Sequence, residues 1–165
     1  CNVGVAEEIR EIELEGMSIG DSLLEYFSEE KIKEATTPEV YPDKFEVTYN
    51  IKETLRYDFI TVTYKSNDKK YKIHGIATAL DFSNDIEDCY KEQNKIKKEI
   101  SMNWKHWGIL PFDEEDNSTY KPITYEDGNG DAISVSCYHF PENTSNNNLK
   151  ISLDSREFKN YLKGL

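Results

Sequence analysis

Residues 57–107 read YDFITVTYKSNDKKYKIHGIATALDFSNDIEDCYKEQNKIKKEISMNWKHW, and this stretch decides the fold. Apolar and β-branched residues alternate over 59–64 and again over 71–80. Ser66-Asn67-Asp68-Lys69 between them tolerates turn conformations, so the spacing predicts an antiparallel hairpin. The apolar phase shifts from Tyr71 and Ile73 to Ile76, Leu80 and Phe82, which marks Gly75 as a bulge or a close backbone approach. Beyond it the period lengthens. Ile86, Cys89, Gln93, Ile96, Ile100, Asn103 and Trp107 step by three and four, giving one stripe of a helix. Asn84 is placed as its N-cap with Glu87 in the capping-box position, lysines gather toward its end, and Gly108 stops it.

Upstream, Phe45, Val47, Tyr49 and Ile51 alternate with polar residues, predicting a strand with one core face and one wet face. Thr36-Thr37-Pro38 and Tyr41-Pro42-Asp43 read as turns. Before them, Ile19, Leu23, Tyr26 and Phe27 share a helical stripe whose start lies at Ser18, Asp21 or Ser22. Ser28 breaks it and opens a second short helix with acidic Glu29 and Glu30, running through Ala35. Residues 9–15 suit an extended segment or an edge strand.

Downstream, Asp113, Glu114, Glu115 and Asp116 form an acidic loop, and 119–125 reads as a strand that Pro122 confines to an edge. The turn 126–131 leads into a strand over 132–140, a loop rich in Asn and Ser follows, and 149–153 makes the last strand. Asp154 or Ser155 caps a terminal helix with Phe158, Tyr161 and Leu162 facing in. Residues 58–64 match 131–137 in type, so the chain can be divided into two α-β-β-β units, 16–82 and 83–153, plus a C-terminal helix, 154–163. The expected fold is α+β: one domain over 16–165 with an antiparallel sheet of about six strands, helices on one face, and the other face open. Residues 1–15 are set apart as a leader or an extended arm.

A length of 165 residues and a hydrophobic fraction of 37% support a single core. The net charge of −12 repels phosphate backbones and anionic membranes, which disfavours nucleic acid as a partner. No apolar run approaches a membrane span. The opening Cys1-Asn2-Val3-Gly4-Val5-Ala6 fits the lipid-bearing first residue of a lipoprotein, the tail of a signal peptide, or a chain cut at an arbitrary point. The first two imply export, to the periplasm or to a membrane-anchored lipoprotein. Setting Cys1 aside leaves Cys89 and Cys137, which form one disulfide in an exported protein or two separate buried thiols otherwise.

Candidate chemistry is sparse. Asp127, Asn129 and Asp131 have the oxygen spacing that opens a calcium loop, yet Ala132 stands where that loop requires Gly and Tyr138 where it requires Glu. They read as a hairpin turn, with a calcium loop as the weak alternative. His74, His106 and His139 have no zinc-ligand spacing, and neither a nucleophile elbow nor a phosphate-cradling loop appears, so the sequence names no catalytic residue and no cofactor. Asn117 and Asn143 open glycosylation sequons, and Trp104, His106 and Trp107 cluster after the helix.

The stretch GMSIGDSLLEYFSEE, residues 16–30, resembles the opening of a group of small exported proteins from marine bacteria of the Pelagibacter type. The resemblance extends over the 57–80 hairpin, the Cys89 helix, Ser134-Val135-Ser136-Cys137-Tyr138 and the closing 149–162. It implies an exported domain with a Cys89–Cys137 bond and brings no activity. The Gly-Met-Ser entry is also similar to that of small periplasmic lipoprotein-like domains and inhibitor proteins built from helix-plus-sheet repeats, which act by binding other proteins. The expected function is therefore a non-enzymatic binding domain whose partner is a protein or an envelope component, met through the open sheet face or the acidic loops. Two rivals stand beside it: a hydrolase or small-ligand enzyme with scattered residues, and a calcium-stabilised module.

Overall fold

The hairpin of the opening stretch forms the middle of a larger sheet. A computed structural model describes residues 8–83, 85–104, 108–109 and 120–164. Its strands are β1 (Thr36–Tyr41), β2 (Phe45–Tyr49), β3 (Phe59–Lys65), β4 (Ile73–Asp81), β5 (Gly108–Ile109), β6 (Tyr120–Glu126), β7 (Ala132–Tyr138) and β8 (Asn148–Asp154). All pair antiparallel in the order β1-β2-β3-β4-β8-β7-β6-β5, and apart from the two-residue β5 every strand has at least five residues. With helices α1 (Glu29–Ala35), α2 (Ile86–Asn103) and α3 (Arg156–Leu162), this is the expected α+β architecture with more strands than about six. A helix followed by a three-stranded meander occurs in each half, α1 with β2-β3-β4 and α2 with β6-β7-β8. The halves join along β4 and β8, from Gly75 opposite Asp154 to Asp81 opposite Asn148.

Period-two alternation assigns each strand residue to a face. The first face carries Ile60, Val62, Ile76, Val135, Cys137, Leu149 and Leu153, all buried with Ile32 of α1 and with Cys89 and Ile100 of α2. Each such aliphatic side chain contributes about 1.5–3 kcal/mol on leaving water. Gln93 sits in the middle of the α2 stripe at 2% exposure, and its amide donates to the backbone carbonyls of Lys121 at 2.6 Å and Val135 at 2.8 Å. A polar residue there thus ties α2 to β6 and β7. Cys89 and Cys137 are bonded to each other across the same interface, with Cα atoms 6.1 Å apart.

Five features differ from the sequence expectation. Residues 18–27 form only a 3-10 turn, Leu23–Glu25, because backbone groups of this segment pair with the entry to β4 instead: Gly20 N–H donates to Ile73 O, Ile73 N–H to Asp21 O, and Leu23 N–H to Tyr71 O. Residues 36–41 form β1 and not a turn, since an edge strand tolerates Pro38 and a break in register after Thr37. The strand β2 is buried on both sides, Thr48 at 0% on the first face and Phe45 at 2% on the second, so it has no wet face over its first four residues. The arm is part of the domain from Ile9 on, for Ile9 is 0% exposed and Leu14 8% within the core. The N-cap of α2 is Asp85, which accepts the Glu87 N–H; Asn84 lies outside the described residues.

On the second face, α3 lies across one end of the sheet. Phe158 packs edge-on to Phe45 at 5.0 Å and to Tyr41 at 5.2 Å. Gly75 makes room for it, since a Cβ at that position would stand 2.8 Å from the Phe158 ring. The register also slips here, Thr63 facing Gly75 while Tyr64 faces Ile73, so both expectations for Gly75 hold. Among the described residues, no helix is long and apolar enough to cross a membrane.

Candidate functional site

Beyond α3 no described element covers the second face, and its shape follows from which residues alternate onto it. The central strands contribute small side chains, Ala77 and Ala79 from β4 with Ser152 from β8 and Ser134 and Ser136 from β7. The flanking strands contribute rings. Tyr49 and Phe59 meet at 5.8 Å on one side, Tyr120 and Tyr138 at 4.9 Å on the other. Since β4 and β8 separate β3 from β7, the two aromatic walls stand roughly 14 Å apart. The result is a trough with Ala79 and its register partner Lys150 in the floor. Leu162 of α3 borders its closed end and Phe140 its open end.

Three cavities subdivide the trough, of about 570, 380 and 60 Å³, and Lys150 lines all of them. Lys150 is half-buried and makes no hydrogen bond or ion pair with any described residue. Its electrostatic partner on the same face is the Asp154 carboxyl, on which the Lys150 charge acts without a direct ion pair. Farther along the same face, burial beneath α3 pushes the Asp154 carboxyl up to about 6, against the opposing pull of the Ser152 hydroxyl, which donates at 2.9 Å, and of Lys150 and Lys159. Burial likewise raises the Tyr138 phenol, which therefore stays neutral in ordinary buffers. Lys159 is occupied, bonding Glu126 and the Gly130 carbonyl. Among the described residues the trough thus carries both signs of charge, Lys150 and Lys163 with Asp58, Asp81 and Asp154, beside neutral rings and hydroxyls.

No protein-family model, curated protein or solved structure matches this chain. The site rests on its own geometry.

The residues singled out in the sequence lie elsewhere. Asp127 and Asp131 are buried, and N–H donors point at their oxygens: Asp127 accepts from Ile9 at 2.8 Å, Asn129 at 2.9 Å and Asp131 at 3.1 Å. Asp131 accepts from the Arg10 guanidinium and the Arg156 N–H, each at 2.8 Å. This turn clasps the N-terminal segment and the start of α3, while the Asn129 side is exposed. Among the described residues, no group of three or more His, Cys, Asp or Glu side chains is arranged to hold a metal ion.

His74 lines a separate cleft of about 840 Å³ with Asp68, Asp131 and Glu157, a histidine among carboxylates in a concavity. Its partners are already engaged. Nδ1 lies 3.0 Å from the Ser155 hydroxyl, but Ser155 is 3% exposed and caps α3 by accepting the Phe158 N–H. Glu157 pairs with Lys65 at 2.8 Å, and Asp68 accepts the Lys70 and Lys72 N–H groups. Burial holds His74 below the usual imidazole range. The cleft is a web of internal pairs. His139 is half-buried and outside this cleft, and Asn143 is exposed. Cys1, His106, Trp107, Asn117 and the acidic run 113–116 lie outside the described residues.

Lys150, the two aromatic walls and Asp154 received no functional reading from the sequence. The alternation Leu149-Lys150-Ile151-Ser152-Leu153-Asp154 does mark them as one face of a strand, yet only the insertion of β8 between β4 and β7 brings Lys150 to the centre.

Proposed function

We propose that this chain is an exported, non-enzymatic binding domain that holds a protein partner, free or part of the cell envelope, in the trough of its second sheet face. The observation that carries the proposal is the trough itself: a face left open by the described residues, with Tyr49 and Phe59 on one side, Tyr120 and Tyr138 on the other, and small side chains between them. Aromatic side chains, three of the four tyrosines, are the chemistry that protein interfaces favour. The net charge of −12 works against nucleic acid and anionic lipid as occupants. Export is supported by the Cys89–Cys137 bond, which persists in oxidising compartments, and by the resemblance of residues 16–30 to exported marine-bacterial proteins. A lipid on Cys1 would hold the domain at a membrane surface, and its absence would leave it free in the periplasm.

Site-specific photo-crosslinking tests the proposal. A benzophenone side chain is placed at Tyr138 in the trough or at Lys95 on the exposed back of α2, in cells with an intact envelope. The expected result is a discrete crosslinked product from position 138 that position 95 does not give. Labelling of the same products from both positions, or of none from 138, would sink it.

A further inference from the structure

We infer that the β8–α3 segment is exchangeable between copies of this chain, so that two chains folding together form a dimer in which each lays its residues 147–164 into the other's sheet. The partner is a second copy, and the surface it fits is the slot between β4 and β7.

Three observations converge on this segment. The groups that hold it are remote in the chain from the connection that joins it. β8 is paired along its whole length with β4 and β7, the Phe158 ring sits against Gly75, Ser155 N–H donates to His74 O, and Lys159 bonds Glu126 and the Gly130 carbonyl. A second copy offers every one of these groups in the same places, so exchange preserves the contacts. Next, the Cys89–Cys137 bond staples α2 to β7 and closes no covalent loop around residues 138–164. The segment is held by non-covalent contacts alone. Last, the connection opens with little loss. Residues 140–146 are all exposed, and the bonds that fold them back are local: Asn143 N–H to Phe140 O, Asn146 N–H to Asn143 O, and Asn147 N–H to Thr144 O. Opening hands those groups to water. Drawn out, residues 139–146 reach up to about 30 Å, which carries β8 across to a neighbouring sheet.

Exchange alters the trough as well as the stoichiometry. Each trough then takes Lys150, Ser152 and Leu162 from one copy and Tyr49, Ala79 and Tyr138 from the other, and one particle presents two troughs. A central strand has to leave the sheet before the copies part, so the dimer persists on dilution. This holds whatever the trough binds.

The test uses the whole native chain, half of it labelled with heavy nitrogen. The mixture is unfolded in urea with its disulfide intact and refolded at high protein concentration and high salt, which screens the repulsion between two acidic chains. Monomer and dimer are separated by size and treated with a carbodiimide, which joins touching Lys and Glu side chains. In the dimer, the Glu126–Lys159 and Glu157–Lys65 crosslinks should pair one heavy with one light peptide in about half of cases, the share that random pairing of copies gives. The Glu15–Lys52 crosslink, with both partners outside the exchanged segment, should stay unmixed, as should all three in the monomer. Asn143→Pro bears on the connection: Asn143 has φ −147° and a bonded N–H, neither of which proline accommodates, so the dimer-to-monomer ratio should rise about tenfold. Refolding that gives no dimer up to the solubility limit overturns the inference. So does a dimer whose Glu126–Lys159 crosslinks are unmixed, which would be an association of surfaces, and so does a ratio that Asn143→Pro leaves unchanged.

Discussion

Two residues of the second face, Asp154 and Gly75, are fixed by what packs against them. Asp154 is held up to about 6 by burial, above its ordinary value near 4, so its folded form prefers the proton. The sign follows: its contribution to stability is fully present below about pH 4 and is lost as pH rises through about 6. Asp154→Asn removes that loss. It should raise the melting temperature at pH 7.5, with a gain on the order of 2–3 kcal/mol, and leave it nearly unchanged at pH 4. An equal shift at both values would contradict the burial of this carboxyl. Gly75 makes the complementary case, for its missing side chain is the seat of the Phe158 ring. Gly75→Ala should cost about 1–3 kcal/mol in urea unfolding, and most of that penalty should vanish when Phe158→Leu is added. Additive losses in the double variant would mean that the ring is not what the methyl group meets.

At the scale of elements, α2 is attached to the sheet by a covalent bond and by the Gln93 amide. Closing a loop with a sequence separation of 48 removes unfolded-state entropy amounting to about 4 kcal/mol, so the Cys89→Ala, Cys137→Ala double variant should melt well below the native protein. Mass spectrometry after alkylation without reduction should find neither thiol modified. Helix α2, the 59–81 hairpin and the Ser28 and Ser155 caps were legible in the sequence because their hydrogen bonds and stripes are local, within a few residues in the helix and caps and across one short turn in the hairpin. Residues 18–27 were not, since their helical spacing competes with pairing to Tyr71 and Ile73 some fifty positions away. The trough was half legible. Alternation shows that Lys150 leaves the core face, whereas its neighbours Ala79 and Ser136 come from strands that only the completed sheet sets beside it. The turn at Asp127 was legible as a hairpin turn, but its tertiary role was not: carboxylates spaced for a cation are also spaced for N–H groups, and Ile9 and Arg156 supply those from opposite ends of the chain.

For the molecule as a whole, the core does not respect the boundary at residue 16. Ile9 and Leu14 belong to it, and Ile9 is further held by Asp127. A chain begun at Gly16 should lose at least about 3 kcal/mol, seen as a lower urea midpoint. An unchanged midpoint would return residues 9–15 to the status of an appendage. The position of β8 has a different consequence. It is made after every other strand but lies between β4 and β7. Until residues 148–154 leave the ribosome, the facing edges of β4 and β7 hydrogen-bond to water, and two ribbons exist in place of one sheet. Translation at about 5–20 residues per second makes that wait long beside the microseconds a hairpin needs. Closure of the sheet therefore waits for the last strand, and until then the β4 and β7 edges stand open as templates for pairing with another chain.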